Sequence, residues 1–297
     1  MWSVVDEEEV ANMSKSVAKA LSGHGTFIYD ANATIGRYGS PEAVASAVKD
    51  LDMQHAWVRI HGVREMHAAE PTRSLIGALQ SEGIEVAGWG WCQGEDVRRE
   101  SRLAVSALNR FGLMHYVADI EQGVSNANWT EDEIEKFFLG LKEGLSDQAQ
   151  VALSSHAFIT WHGPELMKAA DPYVDYFAPQ VYWFWFPSAK MLKAMGFSKS
   201  EYAVSDPGSY IRLCVRLWRD VTRKPLIVTG QAYWGEAQDF TREVAEEKVE
   251  QFINGFDEWG SIQGFNWWHL GGKAQDAMSF SIYNKIREAQ INSHFRQ

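Results

Sequence analysis

Short runs rich in β-branched and aromatic residues alternate along this chain with longer segments whose apolar positions recur every three to four residues. The short runs predict strands at 26–30, 55–62, 85–91, 115–121, 150–156, 176–183, 225–234 and 264–272. Helical periodicity falls between them, near 41–51, 72–82, 95–110, 130–144, 162–170, 207–222, 241–257 and 275–289. Several helix starts carry their own signals. Thr130-Glu131-Asp132-Glu133 reads as a capping box, Ser40-Pro41-Glu42 puts proline at a first helical position, and Thr241-Arg242-Glu243 puts an acid in a first turn.

Eight uninterrupted strand–helix units predict one α/β domain, a single closed (β/α)8 TIM barrel, and 297 residues suit that size. No G-x-G-x-x-G follows the first strand, which argues against an open dinucleotide-binding sheet. Residues 1–24 predict an extra N-terminal amphipathic helix that closes the barrel bottom, leaving 25–297 as the barrel. The connection after strand six, from Phe184 to Ser205, is longer than usual and opens Phe184-Trp185-Phe186-Pro187, a length that points to function.

Composition narrows the partners. A hydrophobic fraction of 45% supports a large core, while a net charge of −11 argues against a nucleic-acid backbone or an anionic membrane. Cys92 and Cys214 are far apart and lack metal-type spacing, and no cofactor motif is present, so neither metal nor cofactor is expected. Met1–Glu9 has no basic n-region and no apolar h-region, so no signal peptide is expected. The expectation is a soluble protein, cytoplasmic at synthesis, reaching an external target by lysis or within a virion. The 13 tryptophans are an unusual number, and several fall at predicted strand ends.

Period-two parity then sorts the strand residues between barrel interior and helix layer. Asp119 and Glu121 of Asp119-Ile120-Glu121 share a face, and two close carboxylates raise the pKa of one. The same parity turns inward Arg59 and His61, Trp89 and Trp91 with Ala87, Ser154 and His156, and Gln180 and Tyr182. Asp30 ends the first strand and Gln231 lies late in the seventh. Carboxylates, amides, a phenol and indoles at one barrel end form an inventory suited to sugars. Duller roles stand beside it: Arg59 as a counterion for Asp30 or Asp119, His61 and His156 as hydrogen-bonded structural residues, Trp183, Trp234 and Trp267 as rim or packing, Cys92 as a small filler.

Tyr116-Val117-Ala118-Asp119-Ile120-Glu121 resembles the fourth-strand D-x-E of glycoside hydrolase family 25 lysozymes and the tail of the family 18 chitinase motif D-x-x-D-x-D-x-E. Phe27-Ile28-Tyr29-Asp30 is similar to the first-strand Asp of family 25. Gln180-Val181-Tyr182 resembles the sixth-strand Gln/Met-x-Tyr of family 18, and Gly264-Phe265-Asn266-Trp267-Trp268 its eighth-strand G-x-x-x-W. Val117 and Met114 stand where family 18 has acids, and the eighth strand lacks the Asp-x-Asn often seen in family 25; the chain resembles a divergent relative of this group, which includes phage-encoded cell-wall lysins.

The resemblance implies a glycosidase cleaving a β-linked N-acetylhexosamine polymer, peptidoglycan or a chitin-like glycan. Glu121 would be the general acid. Asp119 would stabilise charge or orient the substrate acetamido group, and Asp30 would be the base if the enzyme inverts. Gln180 and Tyr182 would hold the acetamido group and Trp268 would floor the cleavage subsite beside Trp89 and Trp91; Arg59, His61, His156 and Gln231 complete the expected sugar contacts. Two alternatives stay open: a non-catalytic carbohydrate-binding barrel, and a metal-dependent hydrolase using His61, Asp119 and His156.

Overall fold

The structure, a computed structural model, describes residues 20–125, 127–161, 163–183, 188–198, 204, 206–233, 242–254, 262–271, 278–289 and 291. Eight parallel strands close in chain order: β1 (Gly23–Ile28), β2 (His55–His61), β3 (Glu85–Cys92), β4 (Tyr116–Ile120), β5 (Val151–His156), β6 (Tyr176–Val181), β7 (Leu226–Gln231) and β8 (Ile262–Trp268). Strand β1 pairs with β2 on one side and β8 on the other, Gly25 opposite His55 and Gly23 opposite Gly264. The ring has no free edge, and the (β/α)8 barrel read from the periodicity is the observed fold.

The helices described are α1 (Ala31–Tyr38), α2 (Pro41–Asp50), α3 (Ala69–Ser81), α4 (Val97–Phe111), α5 (Glu131–Gly144), α6 (Pro164–Ala170), α7 (Ala189–Ala194), α8 (Pro207–Arg219), α9 (Arg242–Asn254) and α10 (Phe280–Glu288). The capping box at α5 forms as the sequence indicates: Glu133 N donates to Thr130 Oγ1 at 3.3 Å, and Thr130 N donates to Glu133 Oε2 at 2.9 Å. Two helices were not anticipated. Helix α1 follows β1 directly, and α7 lies in the long connection after β6, whose opening residues 184–187 fall outside the described residues, as do residues 1–19 of the N-terminal extension.

Strand alternation builds two apolar layers. Val58, Ile60, Leu153, Val181 and Val228 face outward and pack with helix residues such as Leu75, Ala104, Phe137, Leu166 and Leu213. Phe27, Trp57, Ala87, Trp89, Val117, Ala152, Ala178 and Ile227 fill the interior. Ala20 and Leu21 join that interior from the N-terminal end, where Trp57 Nε1 donates to Ala20 O at 2.9 Å.

Two fully buried histidines flank the start of β1 and β2, His55 in the interior beside Trp57 and His24 in the outer layer against Phe265 and Trp267. His55 Nε2 pairs with Asn266 Oδ1 at 2.8 Å, and Trp267 Nε1 donates to His24 Nε2 at 3.0 Å, a bond that needs this nitrogen unprotonated. Gly25 leaves the room; a Cβ there would collide with the His55 ring. Burial holds His24 down at about 3 and His55 at about 4. Because the unfolded chain takes up these protons near 6.5, stability is complete above that pH and lost as pH falls toward 4. The urea midpoint is therefore expected to fall steeply between pH 6.5 and 4; a flat profile there would contradict the neutral buried pair.

Candidate active site

The C-terminal ends of the strands form the open mouth of such a barrel, and β4 supplies its carboxylates. Val117 and Asp119 face the interior while Ala118 and Ile120 join the outer layer, and Glu121 follows as the first residue beyond β4. Gln180 of β6 ties the pair together. Its Nε2 donates to Asp119 Oδ1 at 2.8 Å and to Glu121 Oε1 at 2.8 Å, with Ser154 Oγ at 3.0 Å. An amide NH2 has two protons, so both carboxyls are held as acceptors on one nitrogen.

The two acids differ in setting. Asp119 is 4% exposed. Burial first, and the charge of Glu121 second, hold its carboxyl well above the ordinary carboxylate range, against the opposing pull of Ser154, Arg59 and Gln180. The raised group expected of this pair is thus Asp119. Glu121 keeps 19% of its side chain exposed and presents the more accessible oxygens to the mouth. His156 Nε2 lies 3.8 Å from Glu121 Oε2, but burial holds this imidazole at about 4. At neutral pH it is an uncharged neighbour, and the contact is no ion pair. Tyr182 stays a neutral phenol, its pKa pushed up by burial, then by Tyr233 and the two acids.

Indole and phenol rings line the space beside the pair. Trp268 lies 5.6 Å from Trp89, 5.9 Å from Tyr29 and 6.4 Å from Tyr182, ring centre to ring centre. Trp91 packs on the interior cluster as well. Tyr29 goes unassigned in the sequence, although alternation along the first strand places it on the face of Phe27. It is 41% exposed, so its ring is presented to solvent at the mouth.

The remaining residues divide. Gln231 ends β7 and is buried, its Nε2 donating to Tyr233 O at 2.9 Å. Asp30 caps α1: Ala33 N donates to Asp30 Oδ1 at 2.9 Å and Thr34 Oγ1 to Asp30 O at 2.6 Å. Trp183 and Trp267 are buried in the outer layer, and Cys92 is an enclosed thiol whose pKa burial raises, as a filler would be. Trp234 lies outside the described residues.

His61 departs from the parity reading. Arg59 pairs with Trp89 but His61 pairs with Gly90, two residues against one, so a bulge resets the alternation and turns His61 toward the helix layer. There Nδ1 donates to Gly62 O at 2.7 Å and Nε2 accepts from the Tyr116 hydroxyl at 2.8 Å, in stacked contact with that ring. The trio His61, Asp119 and His156 therefore does not converge, and the described residues contain no cluster of three or more His, Cys, Asp or Glu able to hold a metal. Glycine at 90 is what admits the imidazole, since a Cβ there would collide with His61 Nε2. Gly90→Ala is expected to cost about 1–3 kcal/mol in denaturant unfolding; an unchanged midpoint would count against the bulged packing.

No protein-family model matches the chain, and no curated protein matches its sequence. Solved structures do match in shape. The catalytic domain of a hyperthermophilic chitinase from Pyrococcus furiosus superposes with a TM-score of 0.56 at 10% identity, covering 93% of this chain and 97% of that one. A family 5 xyloglucanase from Paenibacillus pabuli gives 0.57 at 10% identity, covering 92% and 99%. These likenesses establish a barrel fold shared, over nearly its whole length, with glycoside hydrolases.

Proposed function

We propose that this barrel is a glycoside hydrolase acting on a β-linked N-acetylhexosamine polymer, with peptidoglycan the favoured substrate. The observation that carries the reading is the Asp119–Glu121 pair held on one amide beside an aromatic bed. Hydrolysis of a glycosidic bond needs a proton for the leaving oxygen and a negative charge for the cationic sugar that departs. One ionisation shared between two carboxyls offers both. Glu121, the more exposed, delivers the proton, and Asp119 becomes the charged partner. Delivery from Glu121 requires the shared proton to reside there, with Asp119 ionised, when the leaving oxygen is in place.

Asp119 lies on β4 and Glu121 just beyond its end, which puts both on one side of a bound sugar. Attack by the substrate acetamido group fits that placement, with Gln180 and Tyr182 orienting it and Trp268 beneath the ring; this route gives products of retained configuration. Asp30 would serve as base only for attack from the opposite side, and its Oδ1 is already engaged as a helix cap. Kinship of fold with a chitinase and a xyloglucanase supports a polysaccharide substrate, and the motifs around Asp119 and Glu121 favour an amino sugar.

Mass analysis of material released from purified peptidoglycan and from chitin oligomers tests the proposal. Saccharide fragments with new reducing ends are expected, with peptidoglycan the better substrate. Tight binding without any released product would instead identify a non-catalytic carbohydrate-binding barrel.

A further inference from the structure

Arg59 has a chemistry that neutral sugar binding does not need. Its side chain climbs past the end of β2: Nε donates to His61 O at 3.4 Å, and Nη2 lies 3.5 Å from where a Cβ on Gly62 would stand. The guanidinium then lies 4.5 Å over the Tyr29 ring and 5.2 Å over the Trp89 ring. Two aromatic faces thus fix a planar cation at the edge of the bed formed by Tyr29, Trp89 and Trp268.

This cation is largely buried and, among the described residues, has no carboxylate partner. Arg59 is 7% exposed. No carboxylate oxygen of the described residues lies within 4.0 Å of its nitrogens, although the charge is felt by Asp119 and by His67. The role of counterion to Asp30 or Asp119 in a direct pair is therefore not the one it adopts. Of five N–H donors, one bond to a backbone carbonyl is made, and the Nη groups are not sealed from solvent. A buried cation without a partner is costly, and its rigid fork matches a carboxylate.

We propose that Arg59 binds a carboxylate carried by the sugar seated on this bed, so that the site takes an acidic glycan. The proposal rests on the reading of the mouth as a sugar site and sharpens it. Two sources supply such a group: the lactyl ether carboxylate of a muramyl residue stripped of its stem peptide, or the C6 carboxylate of a hexuronate. In a chain of net charge −11, a lone embedded cation contributes selectivity at one position rather than general attraction to polyanions.

The test uses the full chain carrying Glu121→Gln, so that binding is read without turnover. Calorimetry compares peptide-free muramyl oligomers and hexuronate oligomers, each against its carboxyl-reduced alcohol. One acidic form is expected to bind roughly 10- to 100-fold tighter than its alcohol, the range for a charged hydrogen-bonded pair; which oligomer shows the gap names the source. The gap should vanish in Glu121→Gln/Arg59→Gln and survive in part in Glu121→Gln/Arg59→Lys. Equal affinity for acid and alcohol, a gap that persists in Arg59→Gln, or no binding of any of the four would overturn the proposal. Product release by the unaltered chain from neutral and acidic glycans, measured alongside, shows whether the hydrolase reading falls with it. The acid–alcohol comparison on one protein needs no Arg59 variant, so a misfolded variant does not decide the outcome.

Discussion

Glu121→Gln is expected to lower turnover of a cleavable glycan by about 10²–10⁴-fold, the usual contribution of a positioned general acid. The amide matches the carboxyl in shape, and its oxygen can still accept from Gln180 Nε2, so folding and sugar affinity should change little. What is lost is the proton for the leaving oxygen. A substrate whose leaving group departs without protonation, such as a nitrophenyl glycoside, should accordingly lose much less. That contrast separates loss of an acid from damage to the pocket. Near-normal turnover of the natural linkage would reject Glu121 as the acid.

Asp119→Asn is expected to move stability and activity in opposite directions. Turnover should fall by about 10²-fold or more, because the charge that faces the developing cation is gone. Stability at neutral pH should rise by roughly 1–2 kcal/mol, as happens when a strained functional charge is removed. The asparagine oxygen keeps the Gln180 bond, while the cost of holding a carboxyl protonated above its unfolded pKa, or ionised beside Glu121, disappears. The sign follows from linkage: the folded-state pKa lies above the unfolded value near 3.9, so the penalty is absent below that pH. It grows as pH rises through the interval up to the raised pKa, then stays constant. Urea midpoints of the variant and the native chain should therefore coincide near pH 3 and separate toward neutrality. A variant less stable than the native chain at pH 7 would contradict the strained pair.

The barrel and most of its mouth were legible because a closed parallel sheet converts residue parity directly into inside and outside. Val117 and Asp119, Ser154 and His156, and Gln180 and Tyr182 all fall on the face that alternation gives them; that Gln180, read as a holder of the substrate acetamido group, also bonds Asp119 and Glu121 is a contact alternation does not reveal. What alternation could not show is where it is interrupted. The bulge at Arg59 and His61 exists because glycine at position 90 of the neighbouring strand leaves a hole for an imidazole, a contact between segments far apart in sequence. One inserted residue sends His61 to the opposite side of the sheet. The end of β1 was misplaced for a related reason. Asp30 reads equally well as a strand end or a helix cap, and only the turn into α1 decides between them. With the strand taken to end on Asp30, Tyr29 received no role, although it shares a face with Phe27.

Glu100 was invisible for another reason. It sits on α4 as an apparently ordinary charged residue, yet it is buried and accepts from Gln93 N at 2.8 Å and Gly94 N at 3.3 Å. Its carboxylate satisfies the turn that leads from β3 to α4, and burial raises its pKa against those bonds. No spacing rule reveals an acid that serves the backbone of a loop seven residues earlier.

The most direct measurement is a carboxyl-carbon NMR titration of Asp119 in the native chain and in Glu121→Gln. Asp119 should remain protonated well above the ordinary carboxylate range in the native chain. It should shift downward in the variant, where the neighbouring charge is gone, yet stay raised because burial is the larger cause. An Asp119 carboxyl that ionises near pH 4 in both proteins would show two independent acids, and the shared proton on which the proposed cleavage depends would not exist.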